Sequence, residues 1–205
     1  GDRTVCFTIS SQLSGTYHAA CIAREMVLEE HPEKQICVID SRAAAGAMVL
    51  LVRRAQVLIE AAGENGDFDE ICHQLRQYQA TLRTCFTLEN FDNLIKNGRM
   101  RPIVGTLLHS LGIHIIADAT AEGTIHVADK ARGMNKTYRA ITALMKASKD
   151  CTDAEVVISH CENLEGAMAL KRQILADLPV KRVDLLSCRG LTSFYAMEKG
   201  LIVGY

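Results

Sequence analysis

The chain lacks a surplus of charge of either sign. Its 23 lysines and arginines offset 24 aspartates and glutamates, for a formal net charge of −1. No basic stripe is present to follow a nucleic-acid backbone, and no polybasic block to hold a membrane surface. It also lacks an apolar run long enough to span a bilayer. The longest apolar stretch, Ala43 to Val52, stops at Arg53-Arg54, and no signal-peptide pattern is read. The eight cysteines, Cys6, Cys21, Cys37, Cys72, Cys85, Cys151, Cys161 and Cys188, include no CxxC or other close pair. That excludes a zinc ribbon or a dithiol redox motif. Several sit in strand-like runs, where a free thiol behaves as a small hydrophobe, so a reducing cytoplasm is expected. The seven histidines lack metal-ligand spacing, and no metal site is expected. GxGxxG, a Walker-type lysine, a carboxylate cluster, an assignable Ser-His-Asp or Cys-His set, internal repeats and low-complexity tracts are all missing too.

What is present is an alternation of strand-like and helix-like segments over 205 residues, enough for a sizeable core in one or two domains. The runs 4–9 and 35–39 read as strands, and 15–30 and 43–62 as helices. Asp67 is expected to cap a helix reaching about Thr84, with Phe68, Ile71, Leu75, Tyr78 and Leu82 at helical spacing. This βαβα order implies parallel strands. From residue 85 the pattern changes: a short strand 85–88, short helices 90–96 and 103–111, then a hairpin of 113–119 and 124–128 around Ala121-Glu122-Gly123. Helices at 136–149 and 164–177 alternate with strands at 155–159 and 181–187, and two last strands are expected at 191–195 and 200–205. The fold class is α/β. A parallel-sheet lobe over 1–84, incomplete at its N-terminal side, is followed by a mixed α/β lobe over 85–205 that carries the hairpin. The last strands are left open to return to the first lobe.

The most informative segment is the opening turn, Ile9-Ser10-Ser11-Gln12-Leu13-Ser14-Gly15-Thr16-Tyr17. It places hydroxyls and a glycine where a strand ends and a helix begins. A helix N-terminus offers unpaired N–H groups and partial positive charge, a seat for a carboxylate or phosphate. Ser11 or Ser14 acting only as a helix cap accounts for the same residues.

That segment, continued through His18-Ala19-Ala20, resembles the "ISSxLSGTYxxA" stretch of the DegV family of bacterial fatty-acid-binding proteins. Val38-Ile39-Asp40-Ser41 resembles the family's "VIDS", Leu94 to Met100 its "LKKGGRI", and Lys130-Ala131-Arg132-Gly133 its "KxRG". The resemblance implies a two-lobed α/β protein that encloses one long-chain fatty acid, with its carboxylate between the lobes and its acyl chain in the second. Such a protein presents the lipid to a separate fatty acid kinase and is itself no enzyme and needs no cofactor. Ser10 matches the serine that bonds the carboxylate, with Ser11, Ser14 and Gly15 assisting. The acyl pocket is expected from Phe86, Ile103, Leu107, Leu108, Leu111, Ile113 and Ile115, each of which also reads as ordinary core. Arg99, Lys130 and Arg132 are expected docking residues. Arg99 alternatively bonds carbonyls between the lobes, and the other two alternatively form a solvated face.

Three departures accompany the resemblance. The family's earlier strand and "TSQPS" loop have no counterpart here. An exposed sheet edge, self-association and weakened ligand binding are therefore expected, with a chain extended at Gly1 binding better. Ala196 stands where many members have the histidine of "HxGPG", leaving Ser193 or Tyr195 as substitute hydroxyls. His114 and Ile115 replace the lysine and proline of "LLxIKPI". Two other readings remain open: a small-molecule or phosphate-ester enzyme built on the Ser/Gly turn with Asp40 holding a ribose or magnesium, and a purely structural interaction module.

Overall fold

The computed structural model describes residues 3–101 and 112–205. Two strands open it: β1 (Arg3–Thr8) and β2 (Gln35–Asp40), paired in parallel from Arg3↔Gln35 to Thr8↔Asp40. The connection is α1 (Thr16–Glu30), which buries none of its residues. Two further helices follow, α2 (Gly46–Ala62) and α3 (Phe68–Thr81). The Asp67 side chain accepts from the N–H groups of Asp69 and Glu70, the expected cap. Phe68, Ile71, Cys72 and Leu75 of α3 pack with Leu50, Leu51 and Ala55 of α2 and with Cys37 and Ile39 of β2. Gly63 at φ 63° ends α2.

β3 (Thr84–Thr87) begins a second sheet. Next come α4 (Asp92–Lys96), β4 (Ile113–Ala119), β5 (Ile125–Arg132) and α5 (Met134–Ser148). Then follow β6 (Glu155–His160), α6 (Leu164–Asp177), β7 (Arg182–Ser187), α7 (Gly190–Ala196) and β8 (Leu201–Gly204). The strand order is β5-β4-β3-β8-β6-β7; β6 and β7 are parallel and every other neighbouring pair is antiparallel. The hairpin β4–β5 carries a register shift between Ile116 and Ala117.

Side-chain alternation along these strands gives the sheet two unlike faces. Cys85, Ile116, Val156, Ile158, Leu201 and Val203 point to one face and pack under α5 and α6, against Ile141, Met145, Leu170 and Ile174. Phe86, Ala117 and Ile202 point to the other, toward Phe91, Leu94 and Ala196. On that same side Val157 joins the core of α2 and α3, so the first lobe's core rests on the second sheet. The approach is close. A Cβ added at Gly46 would stand 2.5 Å from the Val157 carbonyl oxygen. The Arg53 guanidinium of α2 donates to Asp184 of β7 at 2.6 Å and lies 4.0 Å from Glu155 of β6.

Three expected elements are corrected, and the strand left open finds its place. Residues 191–195 are helical, within α7, because Tyr195 and Ala196 fold into the apolar cluster on the sheet while Leu191 and Phe194 stay exposed. The closing strand, β8, inserts between β3 and β6 of the six-stranded sheet rather than pairing with β1 or β2. α2 starts at Gly46, not at residue 43, after Arg42 and Ala45 take positive φ. α3 ends at Thr81, and Thr84 belongs to β3. The helix expected at 103–111 lies outside the described residues.

Candidate functional site

The β1–α1 turn, the β2–α2 loop, the β4–β5 hairpin tip and α7 converge over the open face of the second sheet. Local hydrogen bonds fix the first two. The N–H groups of Leu13 and Ser14 donate to the Ser10 carbonyl. Asp40, at the end of β2, accepts from the N–H of Ser11 at 3.1 Å and of Arg42 at 2.9 Å, so one carboxylate ties both loops together. Both bonds fall on the same oxygen, Oδ1, so this carboxylate serves as a clamp between the loops. The α1 N-cap is Gly15, with no side-chain cap; the Ser14 hydroxyl instead accepts from Thr16 N–H at 3.2 Å.

Between these loops and the sheet lies a cavity of about 270 Å³. Ile9, Leu13, Ala43 and Ala44 form one wall; Phe86, Leu88, Leu94 and Ile202 form the floor; Ala119, Gly123, Ile125, Leu191 and Ala196 close it. The polar side chains on its surface are Ser14, Arg42, Thr84, Arg99, Thr192 and Tyr195. An apolar enclosure with a few hydroxyls and guanidinium groups suits an amphiphile: it removes a hydrocarbon chain from water and offers donors to an anionic end.

The sequence-predicted residues divide. Ser14, Tyr195, Phe86 and Arg99 line the cavity. Ser10 is fully buried directly behind it, donating to the Gly123 carbonyl at 2.7 Å and accepting from Gln12 N–H at 3.2 Å. Gly123, at φ 90°, is pressed so closely on this serine that a Cβ there would lie 2.3 Å from the Ser10 hydroxyl oxygen. Ser11 and Gly15 shape the turn without lining the cavity. Ser193 likewise is off the lining; its carbonyl accepts from Met197 N–H within the last turn of α7. Ile115 is buried in the cluster beneath, and Ile113 is half-buried; neither is on the lining. Ile103, Leu107, Leu108 and Leu111 lie outside the described residues. The Arg99 Nε donates to the Leu13 carbonyl at 3.1 Å, and a guanidinium nitrogen donates to Asn97, so this side chain bridges α4 to the β1–α1 turn. Lys130 and Arg132 are exposed on β5, at the edge of the sheet.

Sequence reasoning missed Arg42, Thr84, Leu191 and Thr192. Thr84 had a usable signal, the alternation Thr84–Phe86 along a strand. Arg42 had none, because its position depends on a positive φ of 49° in the loop. Thr84 is 6% exposed and its hydroxyl has no hydrogen-bond partner among the described residues. Near α7, burial first and the neighbouring Cys161 second push the Cys188 thiol up to about 11. At the hairpin tip the Thr120 hydroxyl holds the exposed Glu122 carboxyl below the usual carboxylate range. Among the described residues no group of three or more His, Cys, Asp or Glu side chains could hold a metal ion.

Comparison with known proteins shows what the chain is similar to. The family model described as "Uncharacterised protein, DegV family" matches residues 1–200. A DegV domain-containing protein of Streptococcus gordonii is 35% identical over 206 aligned residues, covering all of this chain and 71% of that one. The crystal structure of a DegV family protein from Eubacterium eligens loaded with heptadecanoic acid superposes with a TM-score of 0.91 at 30% identity, covering 99% of this chain and 72% of that one. The Streptococcus pneumoniae Fatty Acid Kinase (Fak) B3 protein loaded with linoleic acid gives 0.89 at 34% identity, covering 98% and 70%.

Proposed function

The chain belongs to the DegV family, and we propose that it binds one long-chain fatty acid in the cavity over the second sheet and presents it to a separate fatty acid kinase. The observation that carries this reading is the cavity itself: an apolar floor of Phe86, Leu88, Leu94 and Ile202 with Ser14, Arg99 and Tyr195 among the few polar groups around it. Each methylene removed from water contributes about 0.8 kcal/mol, so an enclosed chain is held tightly with few polar contacts. The carboxylate lies at the β1–α1 turn. Ser14 and Tyr195 reach it there, and Ser10 turns its hydroxyl from the Gly123 carbonyl to the ligand. Arg99 keeps the turn in place through Leu13. Lys130 and Arg132, exposed on the edge strand, form the docking patch for an acidic face of the kinase. The chain acts as a non-catalytic carrier without a cofactor. Its eight free thiols suit a reducing cytoplasm. Among the described residues no helix is long and apolar enough to cross a membrane.

Mass spectrometry of an organic extract of the purified protein tests the reading. A single long-chain fatty acid at near one-to-one stoichiometry is expected. Protein that carries none, and takes none up on incubation, would overturn it.

A further inference from the structure

A second cavity of about 230 Å³ adjoins the first, and its chemistry is opposite. The two share Arg42, Ala43, Thr84 and Ala119 as a common wall. Where the first is apolar, the second is bounded by two guanidinium groups, Arg42 and Arg83, with Gln79 and Thr120 beside them. No carboxylate is among its described lining residues. Glu122, which accepts from Thr120, and Asp40, which accepts from the Arg42 N–H, lie close to Arg42, and neither is on the lining. Among the described residues each guanidinium is anchored through one nitrogen. Arg42 Nη1 donates to the Ala121 carbonyl at 3.2 Å, and Arg83 Nη1 to the carbonyls of Ala80 and Leu82 at 2.8 Å each. A guanidinium carries five N–H donors in a planar fork that matches carboxylate or phosphate oxygens. In the shared wall sits Thr84, nine-tenths buried, with a hydroxyl that finds no partner among the described residues. A buried hydroxyl without a partner is rare enough to call for one.

We propose that this compartment is an oxyanion site, in which Arg42, Arg83 and Thr84 hold a phosphate or phosphate-like group beside the fatty-acid cavity. The site goes beyond the fatty-acid reading and depends on it only if the oxyanion arrives attached to a lipid. The shared wall lets a group bound here touch an amphiphile in the neighbouring cavity, so the oxyanion comes either free from solution or as the head of the bound lipid.

Two titrations test the site. Inorganic phosphate is titrated into the protein by ³¹P NMR, and a long-chain alkylphosphonate is compared with the fatty acid of equal chain length. Phosphate is expected to bind the parent and to bind Arg83→Gln about tenfold more weakly, the loss of roughly one charge-assisted contact. Arg83→Lys, which keeps the charge, should recover part of that loss. Arg42→Gln should weaken phosphate similarly and serves if Arg83→Gln does not fold. A phosphonate that outbinds the fatty acid in the parent, and loses that advantage in Arg83→Gln, assigns the oxyanion to a lipid head; a phosphonate with no advantage assigns it to free phosphate. Absence of phosphate binding in the parent, or equal binding by folded parent, Arg83→Gln and Arg42→Gln, would overturn the site. If the parent takes up phosphate in this pattern but no fatty acid, the fatty-acid reading fails and the oxyanion site stands.

Discussion

The two faces of the six-stranded sheet are built from neighbouring residues of the same strands and do different work. On the face of Cys85, Ile116, Ile158 and Val203, α5 and α6 form a continuous cover, and Ile141, Met145, Leu170 and Ile174 are fully buried against it. On the face of Phe86, Ala117 and Ile202, the cover is divided. α2 and α3 rest on Val157 at one side, and loops with the short helices α4 and α7 close the other side around the cavity. One face therefore spends its apolar surface on stability, and the other leaves part of it at the cavity that we assign to the ligand. Substitutions on the first should change unfolding free energy and leave the affinity of folded protein alone. Substitutions around the cavity on the second should change affinity more than unfolding free energy.

The largest effect is expected on the sealed face. Leu170→Ala should cost about 2–5 kcal/mol in denaturant unfolding, the range for a fully buried leucine, while the surviving folded protein keeps its fatty-acid affinity. A matching loss of affinity would mean that the faces are not separable. Next is the seam between α2 and the sheet. Gly46→Ala drives a methyl into the Val157 carbonyl, and overpacking against backbone should cost about 3 kcal/mol. A thermal melt at the parent temperature would show instead that α2 shifts freely.

On the cavity side, Ser10→Ala removes the hydroxyl that holds Gly123 and that we assign to the carboxylate. Fatty-acid affinity should fall about tenfold, as expected for one charge-assisted bond. Unchanged affinity in a titration removes Ser10 from the head-group site.

The smallest effect concerns thiol chemistry. Cys85 is wholly buried on the sealed face, and burial pushes its thiol far above the usual range. Cys188, partly exposed beside α7, is pushed up to about 11. Only the thiolate reacts, so alkylation of Cys188 by iodoacetamide should be slow at pH 8. It should rise about tenfold per pH unit until near pH 11, where an ordinary thiol would level off at about 8.5. Cys85 should label only on unfolding. A plateau for Cys188 below pH 9 would contradict the burial seen around it.

The locally patterned elements were the more legible in sequence. Helical spacing with a true Asp67 cap, strand runs bounded by turns and the hairpin at Gly123 all belong to local patterns, and the structure follows them. α7 was not legible. Leu191, Phe194 and Tyr195 have strand-like composition, and their helix is supported by contacts from afar, including Asn93 Nδ2 donating to the Phe194 carbonyl at 2.6 Å. The place of β8 between β3 and β6 is likewise a non-local choice. Among site residues in the motif-bearing segments, Ser14 and Arg99 reach the cavity, while Ser10, Ser11 and Gly15 build the turn beside it. Arg42 and Leu191 reach the cavity only through loop closure and the folding of α7, which no spacing in the chain encodes.

The central claim is that the ligand lies on the face of Phe86 and not on the face of Tyr138, which packs under the opposite cover. The sequence contains no tryptophan, so a single one reports its own surroundings. Phe86→Trp and Tyr138→Trp should each be titrated with a long-chain fatty acid brominated along its tail, a quencher that acts only near contact. Saturable quenching of Phe86→Trp near one equivalent, with Tyr138→Trp unaffected, is the predicted result. Quenching of Tyr138→Trp alone, or of both to the same extent, would contradict the assignment of the open face to the ligand.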